Sequence, residues 1–459
     1  MIPASLGEGA EVVDLVIRGA KLVTPAGLLE GEIYVHEGRI AALGELGHPA
    51  REVVDAGGLL AMPGMVDAHV HFMDPGATER EDFITGSSAA AVGGVTTVIE
   101  HTHAMPVRTV AFLQEKARYL ESRSLVDYGL AAHVWPEDSE HIHEVWEAGA
   151  LFLKAFTCTT HGVPGLTPGD LLRLFQKISG FQGVCLVHCE DEWITMEAER
   201  RLRGLGRMDG MVIPEWRSRE AELVAVNTVA LLARLTGARV VIAHVSQPAA
   251  LDLIRREQAL GANLWAESCP QYFHLLEEEV REKGAYRKFT PPARSRSQED
   301  MEEMWRRLAR GDIAYIATDH APSTKAQKEE GDIWTVHFGL PGVETTLSLM
   351  LNGALEGRIS LPRLVEVLCE VPAKIYGLYP RKGTLRIGAD ADIVLIDPTA
   401  DRLLTDDQIV SKAGWTPYAG RRIKGKPVMT FLRGKLIARD GKVVAEPGIG
   451  AFVTRYSLS

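Results

Sequence analysis

The sequence predicts an α/β protein: a (β/α)8 barrel of the TIM type, with a small β-sandwich built from both ends of the chain. Eight apolar, strand-like runs alternate with amphipathic helical stretches across the middle of the 459 residues, a pattern typical of βα units and a parallel sheet. Short alternating strands broken by turns stand before and after them. We therefore expect a barrel over residues 63–382 and a sandwich formed by residues 1–62 together with 383–459.

Each barrel strand is predicted from an apolar run, and each helix from a period of 3.6 between such runs. The eight predicted strands cover residues 65–72, 95–101, 128–134, 150–157, 184–189, 240–245, 263–268 and 313–320. The clearest helical stretches cover 110–121, 171–178, 221–235, 249–260 and 300–309. The sandwich strands are predicted at 13–17, 21–24, 32–35, 40–43 and 57–61, and at 391–396, 427–432, 435–438 and 442–445.

The composition argues against several classes of protein. Lys and Arg number 50 against 61 Asp and Glu, a net charge of −11, which disfavours binding to a phosphate backbone. The five cysteines are odd in number and form no C-x-x-C pair, so neither a disulfide framework nor a structural zinc knuckle is expected. The first residues do not resemble a secretory leader, and no apolar run reaches the length of a membrane span. We expect a cytoplasmic protein that binds neither nucleic acid nor membrane.

Polar side chains stand where the predicted strands end, and barrel enzymes build their sites on that rim. Because side chains alternate along a strand, the two histidines of the first strand point to one face. Any one of these histidines alone is more simply a hydrogen-bonded core or loop residue. Together they predict an N/O metal site suited to zinc, with manganese, iron, cobalt or nickel also possible. The rim residues are His69, His71, Lys154, His188, His244 and Asp319.

Lys154 lies in the apolar run Ala-Leu-Phe-Leu-Lys-Ala-Phe of residues 150–156. An isolated ammonium buried in such a run is costly, and an ammonium has no lone pair with which to bind metal. Either the amine reaches the rim or pairs with Asp319, or its charge is changed.

Six motifs of the barrel and one of the closing stretch carry a specific resemblance. They read PGMVDAHVH at 63–71, LKAF at 153–156, VHCE at 187–190, AHVS at 243–246, ESCPQY at 267–272, TDHAP at 318–322, and KGTL with GADAD at 382–392. Over most of its length the chain resembles the cyclic amide hydrolases of the amidohydrolase superfamily: hydantoinases (dihydropyrimidinases), allantoinases and dihydroorotases. It is most similar to the hydantoinase branch.

The resemblance implies a binuclear centre of two divalent ions, most simply Zn²⁺. Lys154, carboxylated on its amine by CO₂, would bridge them as a carbamate, which removes the difficulty of its buried charge. His69, His71 and Asp319 would hold one metal, and His188 and His244 the other, with a hydroxide between them. Asp319 would carry the proton from the hydroxide to the leaving nitrogen. The relatives also imply a homotetramer or a homodimer.

The ring that is opened is less well determined. Dihydroorotases place an arginine where this chain has Met73, and an asparagine after the second strand, where it has Glu100-His101-Thr102-His103. A carboxylate on the ring therefore loses two expected partners. Residues Asp74 to Gly76, followed by Thr78 and Glu79, resemble the rim loop of allantoinases. We expect hydantoin or dihydropyrimidine hydrolysis to an N-carbamoyl amino acid, with allantoin as the first alternative and dihydroorotate as the second. A non-catalytic scaffold relative is disfavoured because all six ligand positions are filled.

Substrate contacts are predicted at Asp74, His103, Thr159, Thr290 and Gly339. His101 and His103 repeat the spacing of a metal motif. We expect them to line the pocket wall or to form hydrogen bonds there, with a structural role in the loop as the first alternative and metal binding as the second. Many hydantoinases place a tyrosine five residues after the bridging lysine, where this chain has Thr159. Thr159, Thr160 or His161 could donate to the oxyanion in its place. Thr290 and Gly339 resemble the backbone segments that align the cyclic amide.

Overall fold

The computed structural model describes residues 12–456. Residues 1–11 and 457–459, which the predicted sandwich includes, lie outside the described residues. The strands are β1 Val13–Arg18, β2 Lys21–Thr24, β3 Gly27–Glu30, β4 Ile33–His36, β5 Arg39–Leu43, β6 Ala50–Asp55, β7 Leu60–Pro63, β8 Met65–Val70, β9 Val95–Glu100, β10 Asp127–Leu130, β11 Ala132–His133, β12 Leu153–Phe156, β13 Val184–His188, β14 Arg239–Ile242, β15 Leu264–Ser268, β16 Tyr315–Ile316, β17 Ile393–Leu403, β18 Arg422–Leu432, β19 Lys435–Arg439 and β20 Lys442–Val443.

The α-helices fill the intervals between the barrel strands. They are α1 Phe83–Gly93, α2 Val110–Leu120, α3 Ile142–Glu147, α4 Pro168–Phe181, α5 Glu192–Gly204, α6 Val212–Trp216, α7 Arg219–Thr236, α8 Pro248–Ala259, α9 Gln271–His274, α10 Glu279–Lys283, α11 Gln298–Arg310, α12 Lys325–Glu329, α13 Thr346–Leu355, α14 Leu361–Val365 and α15 Val371–Ile375. Local sequence fixes several ends: α4 starts at a capping box of Thr167 with Asp170 and carries Pro168 in its first turn.

The parallel strands β8 to β16 form the barrel. They pair in chain order as two sheets, β8-β9-β10 and β11 through β16. The third barrel strand is divided at Ala131 into β10 and β11, and the Ala131 amide still donates to the carbonyl of Glu100 at 3.1 Å. The ring closes between the first and eighth strands, where the His71 amide donates to the His320 carbonyl at 2.8 Å. The predicted (β/α)8 architecture is therefore observed.

The sixth and eighth strands end earlier than predicted. β14 stops at Ile242 and β16 at Ile316, whereas the apolar runs extend to residues 245 and 320. His244 and Asp319 have φ angles of 37° and 49°, in the left-handed region, so the extended backbone cannot continue through them. The side chains that matter for the site therefore project from turns just beyond these strands.

Strands from both ends of the chain form two further sheets. One has the order β5-β4-β1-β6, and the other the order β20-β19-β18-β17-β7-β2-β3. β7 pairs antiparallel with β17, so the N-terminal and C-terminal segments share one sheet. Apolar side chains of both sheets, including Leu15, Ile33, Leu395 and Phe431, pack together between them. The exact division at residues 62/63 and 382/383 stays a prediction.

The end of the described chain packs on the barrel. The Ala451 amide donates to Asp127 at 2.8 Å, and the Val453 amide donates to the Tyr128 carbonyl at 2.8 Å. Asp127 begins β10, so this contact is at the amino end of the barrel strands. The base of the barrel is thus closed by chain that follows the second sheet, while the opposite rim stays available for a site.

A buried ion cluster lies at the same end of the barrel. The Lys382 ammonium, 1% exposed, contacts Asp390 at 2.9 Å, Asp392 at 2.8 Å and also Asp127. Arg433 contacts Asp127 as well. These five residues join a barrel strand to the segments around β17 and β18. Burial lowers the pKa of the Lys382 ammonium, but the three carboxylates outweigh it and the net shift is upward.

Within residues 12–456, no helix has both the length and the apolar character needed to cross a membrane.

Candidate metal centre

The side chains predicted to bind metal meet at the carboxyl end of the barrel strands. His69 lies in β8 and His71 just beyond its end. Asp319 follows β16, the neighbouring strand across the closure of the barrel. One carboxylate oxygen of Asp319, Oδ1, lies 3.1 Å from His69 Nε2 and 3.3 Å from His71 Nε2. The predicted grouping of His69, His71 and Asp319 is thus present as a geometric cluster.

His188 and His244 form the second half of the group. His188 Nδ1 lies 2.9 Å from His244 Nε2, so two ring nitrogens point toward each other. The other nitrogen of His188, Nε2, lies 2.8 Å from Glu190 Oε2. The His244 ring centroid is 5.5 Å from that of His69, which links the two halves. His69, His244 and Asp319 each offer a ligand atom within 4.8 Å of the others.

Lys154 lies among these residues and is 1% exposed. Its Nζ has no hydrogen-bond partner among the described residues, although it is 5.1 Å from the centroid of Phe156. Burial lowers the pKa of its ammonium. Its charge also acts on six histidine side chains, those of His69, His71, His101, His133, His188 and His244. The alternative that Lys154 pairs with Asp319 by a hydrogen bond or close ion pair does not occur.

This donor set fits metal ions. Imidazole nitrogens and a carboxylate are the ligands that zinc and its neighbours prefer. Two ring nitrogens 2.9 Å apart repel unless a proton or a cation lies near both. Burial lowers the pKa of His71 to about 4, in part offset by Asp319, and lowers the pKa of His244 well below its usual range. Neutral imidazoles keep the lone pairs that a metal requires.

Glu267 orients the first of these ligands. It is the last but one residue of the seventh barrel strand, β15, and is fully buried. Its Oε1 lies 2.7 Å from His69 Nδ1 and accepts from the His244 amide at 3.1 Å, while the Tyr315 hydroxyl donates to its Oε2 at 2.6 Å. A carboxylate on Nδ1 leaves His69 Nε2 as the free lone pair. Burial lowers the pKa of His69, but Glu267 and then Asp319 outweigh it and raise the pKa overall.

Glu190 plays the corresponding role for His188. Besides the His188 contact, its Oε2 accepts from the Thr290 hydroxyl at 2.7 Å and lies 3.4 Å from Arg217 Nη1. Burial raises the pKa of Glu190, but Arg217 and His188 outweigh it and hold the pKa at about 2. The Thr290 hydroxyl therefore donates its proton to Glu190 and is no donor for the predicted substrate contact.

The residues proposed for the pocket wall lie beside this centre. The His103 ring is 5.0 Å from that of His71 and stacks on His161 at 4.4 Å. Thr160 is buried, with its hydroxyl 3.4 Å from Arg217 Nη2. Thr159 is exposed, its amide donates to Glu192, and its hydroxyl accepts from the Gly165 amide at 3.3 Å. His161 therefore reaches the ligand group through His103, whereas Thr159 is exposed and engaged with Glu192 and Gly165.

His101 is buried between the first two ligands. Its ring centroid lies 4.5 Å from those of both His69 and His71. Neither of its ring nitrogens has a hydrogen-bond partner within the part of the chain that the structure describes. Its backbone carbonyl accepts from His71 Nδ1 at 3.1 Å and from His133 Nε2 at 2.9 Å. These contacts are compatible with a place in the pocket wall and with metal binding. They do not fit a purely structural role in a loop away from the site.

Asp74 has a different environment from the one predicted. It is fully buried and contacts the segment that follows it rather than the metal ligands. Its Oδ2 accepts from the Phe83 amide at 2.9 Å and from Arg123 Nε at 3.1 Å, and its Oδ1 accepts from the Tyr119 hydroxyl at 2.8 Å. With both oxygens engaged, the carboxylate holds the rim loop to α1 and α2 and is not offered to a substrate.

Gly339 lies where the chain makes a close approach. Its φ is 119°, and a Cβ at this position would lie 2.1 Å from the Ala321 carbonyl oxygen, so no other residue fits without movement of the backbone. Its amide donates to the Lys288 carbonyl at 3.0 Å. The two backbone segments predicted to align a cyclic amide, around Thr290 and Gly339, are thus joined to each other.

Sequence similarity to known proteins identifies the family of this chain. Residues 60–437 match the Amidohydrolase family. The chain belongs to this family. An L-hydantoinase of Paenarthrobacter aurescens is 36% identical over 454 residues, which cover 96% of this chain and 98% of that protein. An allantoinase of Deinococcus radiodurans is 33% identical over 442 residues, covering 95% and 97% of the two chains.

A solved structure gives the same result for the fold of this amidohydrolase. The L-hydantoinase (dihydropyrimidinase) from Arthrobacter aurescens matches with a TM-score of 0.92 and 35% identity, over 96% of this chain and 100% of that chain. The predicted fold class and the predicted family are therefore confirmed.

Three residues of the site were not assigned a role from the sequence of this amidohydrolase. Glu267 and Glu190 stand within the quoted motifs, and both end or follow a strand on the rim side. Glu190 is two residues after His188, a spacing that places both on one face and could have found it. Arg217 lies between α6 and α7 and contacts Glu190 across a large sequence separation, so no local pattern indicates it.

Proposed function

We propose that this chain is a metal-dependent hydrolase that opens a hydantoin or dihydropyrimidine ring to an N-carbamoyl amino acid. The observation that carries this proposal is the meeting of four histidines, Asp319 and an unpartnered Lys154 on one rim of the barrel. The L-hydantoinase and allantoinase relatives, which align over nearly the whole chain, support the choice of a cyclic amide.

Two divalent ions, most simply Zn²⁺, would be held by His69, His71 and Asp319 and by His188 and His244. They would supply Lewis acidity toward the ring carbonyl and make a water molecule nucleophilic at neutral pH. Lys154 would be carboxylated on Nζ by CO₂, giving an anionic carbamate whose oxygens can bind metal. Its unpartnered Nζ, close to all the proposed ligands, supports this modification.

Asp319 is placed to move a proton. Its side chain is 16% exposed, whereas that of His69 is 1% exposed, so it reaches the open side of the centre. Hydrolysis adds the oxygen of water to the ring carbonyl carbon, breaks the carbon–nitrogen bond and puts a proton on the leaving nitrogen. Asp319 would take that proton from the attacking water and deliver it to the nitrogen. His161 and Thr160 are the proposed donors to the developing oxyanion.

Allantoin hydrolysis is the second candidate function. It is favoured by the allantoinase relatives at 33% and 32% identity, which also align over nearly the whole chain. The two activities differ in the substituent on a five-membered ureide ring. Dihydroorotate comes after both, because Met73 and the run from Glu100 to His103 stand where a carboxylate on the ring would need its partners.

The direct test measures ring opening by the purified, zinc-loaded protein on hydantoin, dihydrouracil, allantoin and dihydroorotate side by side. We expect turnover of hydantoin or dihydrouracil above that of the other two. Fastest turnover of allantoin would replace the first candidate by the second, and no turnover of any of the four would refute the cyclic amide proposal. Carbon NMR after incubation with ¹³C-bicarbonate should show one carbamate carbon per chain, which Lys154→Met should lack.

We propose a cytoplasmic homotetramer or homodimer. The five cysteines are all free and buried, which supports a reducing compartment. Large apolar side chains exposed on the helical surface, including Trp193 at 76% and Leu205 at 66%, support association between copies. Sedimentation equilibrium of the purified protein tests the assembly state.

A further inference from the structure

Three buried cations surround the segment that follows the eighth barrel strand. Arg80, Lys288 and Lys328 are 4%, 1% and 3% exposed. Each donates to a backbone carbonyl: Arg80 Nε to Pro322 at 3.0 Å, Lys288 Nζ to Trp334 at 3.1 Å, and Lys328 Nζ to His337 at 2.9 Å. Among residues 12–456 none of the three forms an ion pair with a carboxylate. Burial of three cations without a counter-charge is costly and requires an explanation.

The charges act on one another. The Lys328 ammonium is affected by the charges of Arg80 and Lys288, and the His337 imidazole by all three. The two carboxylates that act on Lys288 already accept hydrogen bonds from other donors. Glu199 accepts from Arg203 at 2.8 Å, and Asp332 accepts from the Trp334 amide at 2.9 Å. Glu79, which acts on Arg80, is exposed. Burial lowers the pKa of Lys328 well below its usual range and that of Lys288 to about 8, so Arg80 and, near neutral pH, Lys288 are the cations of this group.

A cavity of about 300 Å³ opens beside Lys288. Arg217, Phe338 and the ion pair of Arg203 with Glu199 line it together with Thr160 and His161 from the loop after β12. The Lys288 ammonium lies 4.6 Å from the centroid of Phe338. A lysine ammonium has three N–H donors, and only one is used by the Trp334 carbonyl.

The cavity is next to the metal centre. Arg217 reaches His188 through Glu190, and His161 stacks on His103, which contacts the His71 ring. The Lys288 carbonyl accepts from the Gly339 amide, so Lys288 is joined to the segments proposed to align the ring. Loops after the seventh and eighth strands are the usual place for an anion site in such barrels.

We propose that the cavity is an anion site that binds a carboxylate carried on the substituent of the cyclic substrate, with Lys288 as its principal contact. Arg80, whose Nη2 has no hydrogen-bond partner among the described residues, acts on the lining residues His161 and His337 and adds positive charge. This inference rests on the proposed function and narrows it to cyclic ureides with an acidic side chain, which open to N-carbamoyl derivatives of acidic amino acids.

The test compares two hydantoins that differ only in charge: one with a carboxymethyl group on the ring carbon and one with the neutral carbamoylmethyl group. The zinc-loaded enzyme should open the acid with a KM at least about tenfold lower, the effect of one hydrogen bond to a charged group. Lys288→Met should abolish the preference, Lys288→Arg should keep it, and Lys435→Met, at an exposed lysine of β19, should leave it unchanged. An equal KM for both substrates in the unmodified enzyme, or an unchanged preference in a folded Lys288→Met variant, overturns the anion site.

A binding measurement separates this inference from the proposed function. Calorimetric titration with N-carbamoyl-aspartate, N-carbamoyl-asparagine and inorganic phosphate requires no turnover. Tighter binding of the aspartate derivative, lost in Lys288→Met, supports the anion site even if no hydantoin is opened. Ring opening without a preference for the acid leaves the proposed function in place and refutes the site. Phosphate that binds as tightly as the aspartate derivative shows a site for free anions and refutes the substrate assignment.

Discussion

Glu267 Oε1 and His69 Nδ1 lie 2.7 Å apart in the fully buried wall of the centre. This contact selects the tautomer of His69 and aims Nε2 at the proposed metal. Glu267→Ala should therefore weaken apparent zinc affinity by about 10- to 100-fold, and Glu267→Gln, which keeps an acceptor, should weaken it less. Competition with a chromogenic chelator measures both. Equal affinity in the alanine variant and the unmodified protein would show that the contact only packs the wall.

Lys154 is the residue on which the binuclear assignment depends most. Replacing it with alanine or methionine removes the only side chain proposed to bind both ions, so both metals and the activity should be lost. Elemental analysis of protein grown with zinc and bicarbonate measures this. The thermal unfolding midpoint of metal-stripped protein serves as a control for folding. A fully loaded, active Lys154→Met variant would eliminate the carbamate.

Asp319 is expected to matter more for turnover than for folding. Asn has the same shape but cannot carry a proton, so Asp319→Asn should lower kcat by about 10²- to 10⁴-fold while KM changes little. Steady-state kinetics at matched metal content separates this effect from loss of a ligand. If the kcat of the loaded variant stays within a few-fold of the original, another group moves the proton.

Glu344 gives a pH-dependent prediction away from the centre. Burial raises its pKa to about 7, offset only in part by amide donation from Val410 and Ser411. The folded protein therefore binds this proton more tightly than the unfolded chain does, and stability falls as the pH rises from about 4.5 to about 7. At pH 8, Glu344→Gln should raise the free energy of unfolding by at most about 3 kcal/mol, and the thermal midpoint should rise with it. At pH 4.5 the substitution should change both quantities little. The same shift at both pH values would contradict this assignment.

Lys382 tests the contact between the barrel base and the second sheet. Lys382→Met leaves Asp127, Asp390 and Asp392 close together without their shared ammonium. The variant should lose about 3–5 kcal/mol of stability, and the fraction that stays folded should keep its turnover, because the cluster lies at the end of the barrel opposite the metals. Denaturant unfolding of Lys382→Met and of the surface variant Lys435→Met provides the comparison. A loss no larger than that of the surface variant would show that the cluster contributes nothing net.

The sequence alone predicts those features of this protein that depend on alternation along a strand and on the order of the strands. Alternation along β8 places His69 and His71 together, and strand order brings Lys154, His188, His244 and Asp319 to one rim. The left-handed backbone of His244 and Asp319 was not predictable from apolar runs, because it is set by the turns into which those runs lead. Asp74 shows the same limit, since its partners Tyr119, in α2, and Arg123, just after that helix, reach it by a docking that no short motif encodes. The grouping of Lys288 with Arg80 and Lys328 comes from three separate segments and becomes visible only when they are folded together.

The antiparallel contact between β7 and β17 has a consequence for how the protein is made. On the ribosome, every barrel strand leaves the exit tunnel before Ile393 is synthesised. The barrel can therefore form before β17 is available to pair with β7. During that interval the edge of β7 is open to pairing with other chains. Expression at lower temperature, or with a chaperone that covers nascent chains, should therefore improve the soluble yield of this enzyme more than stabilising the finished fold would.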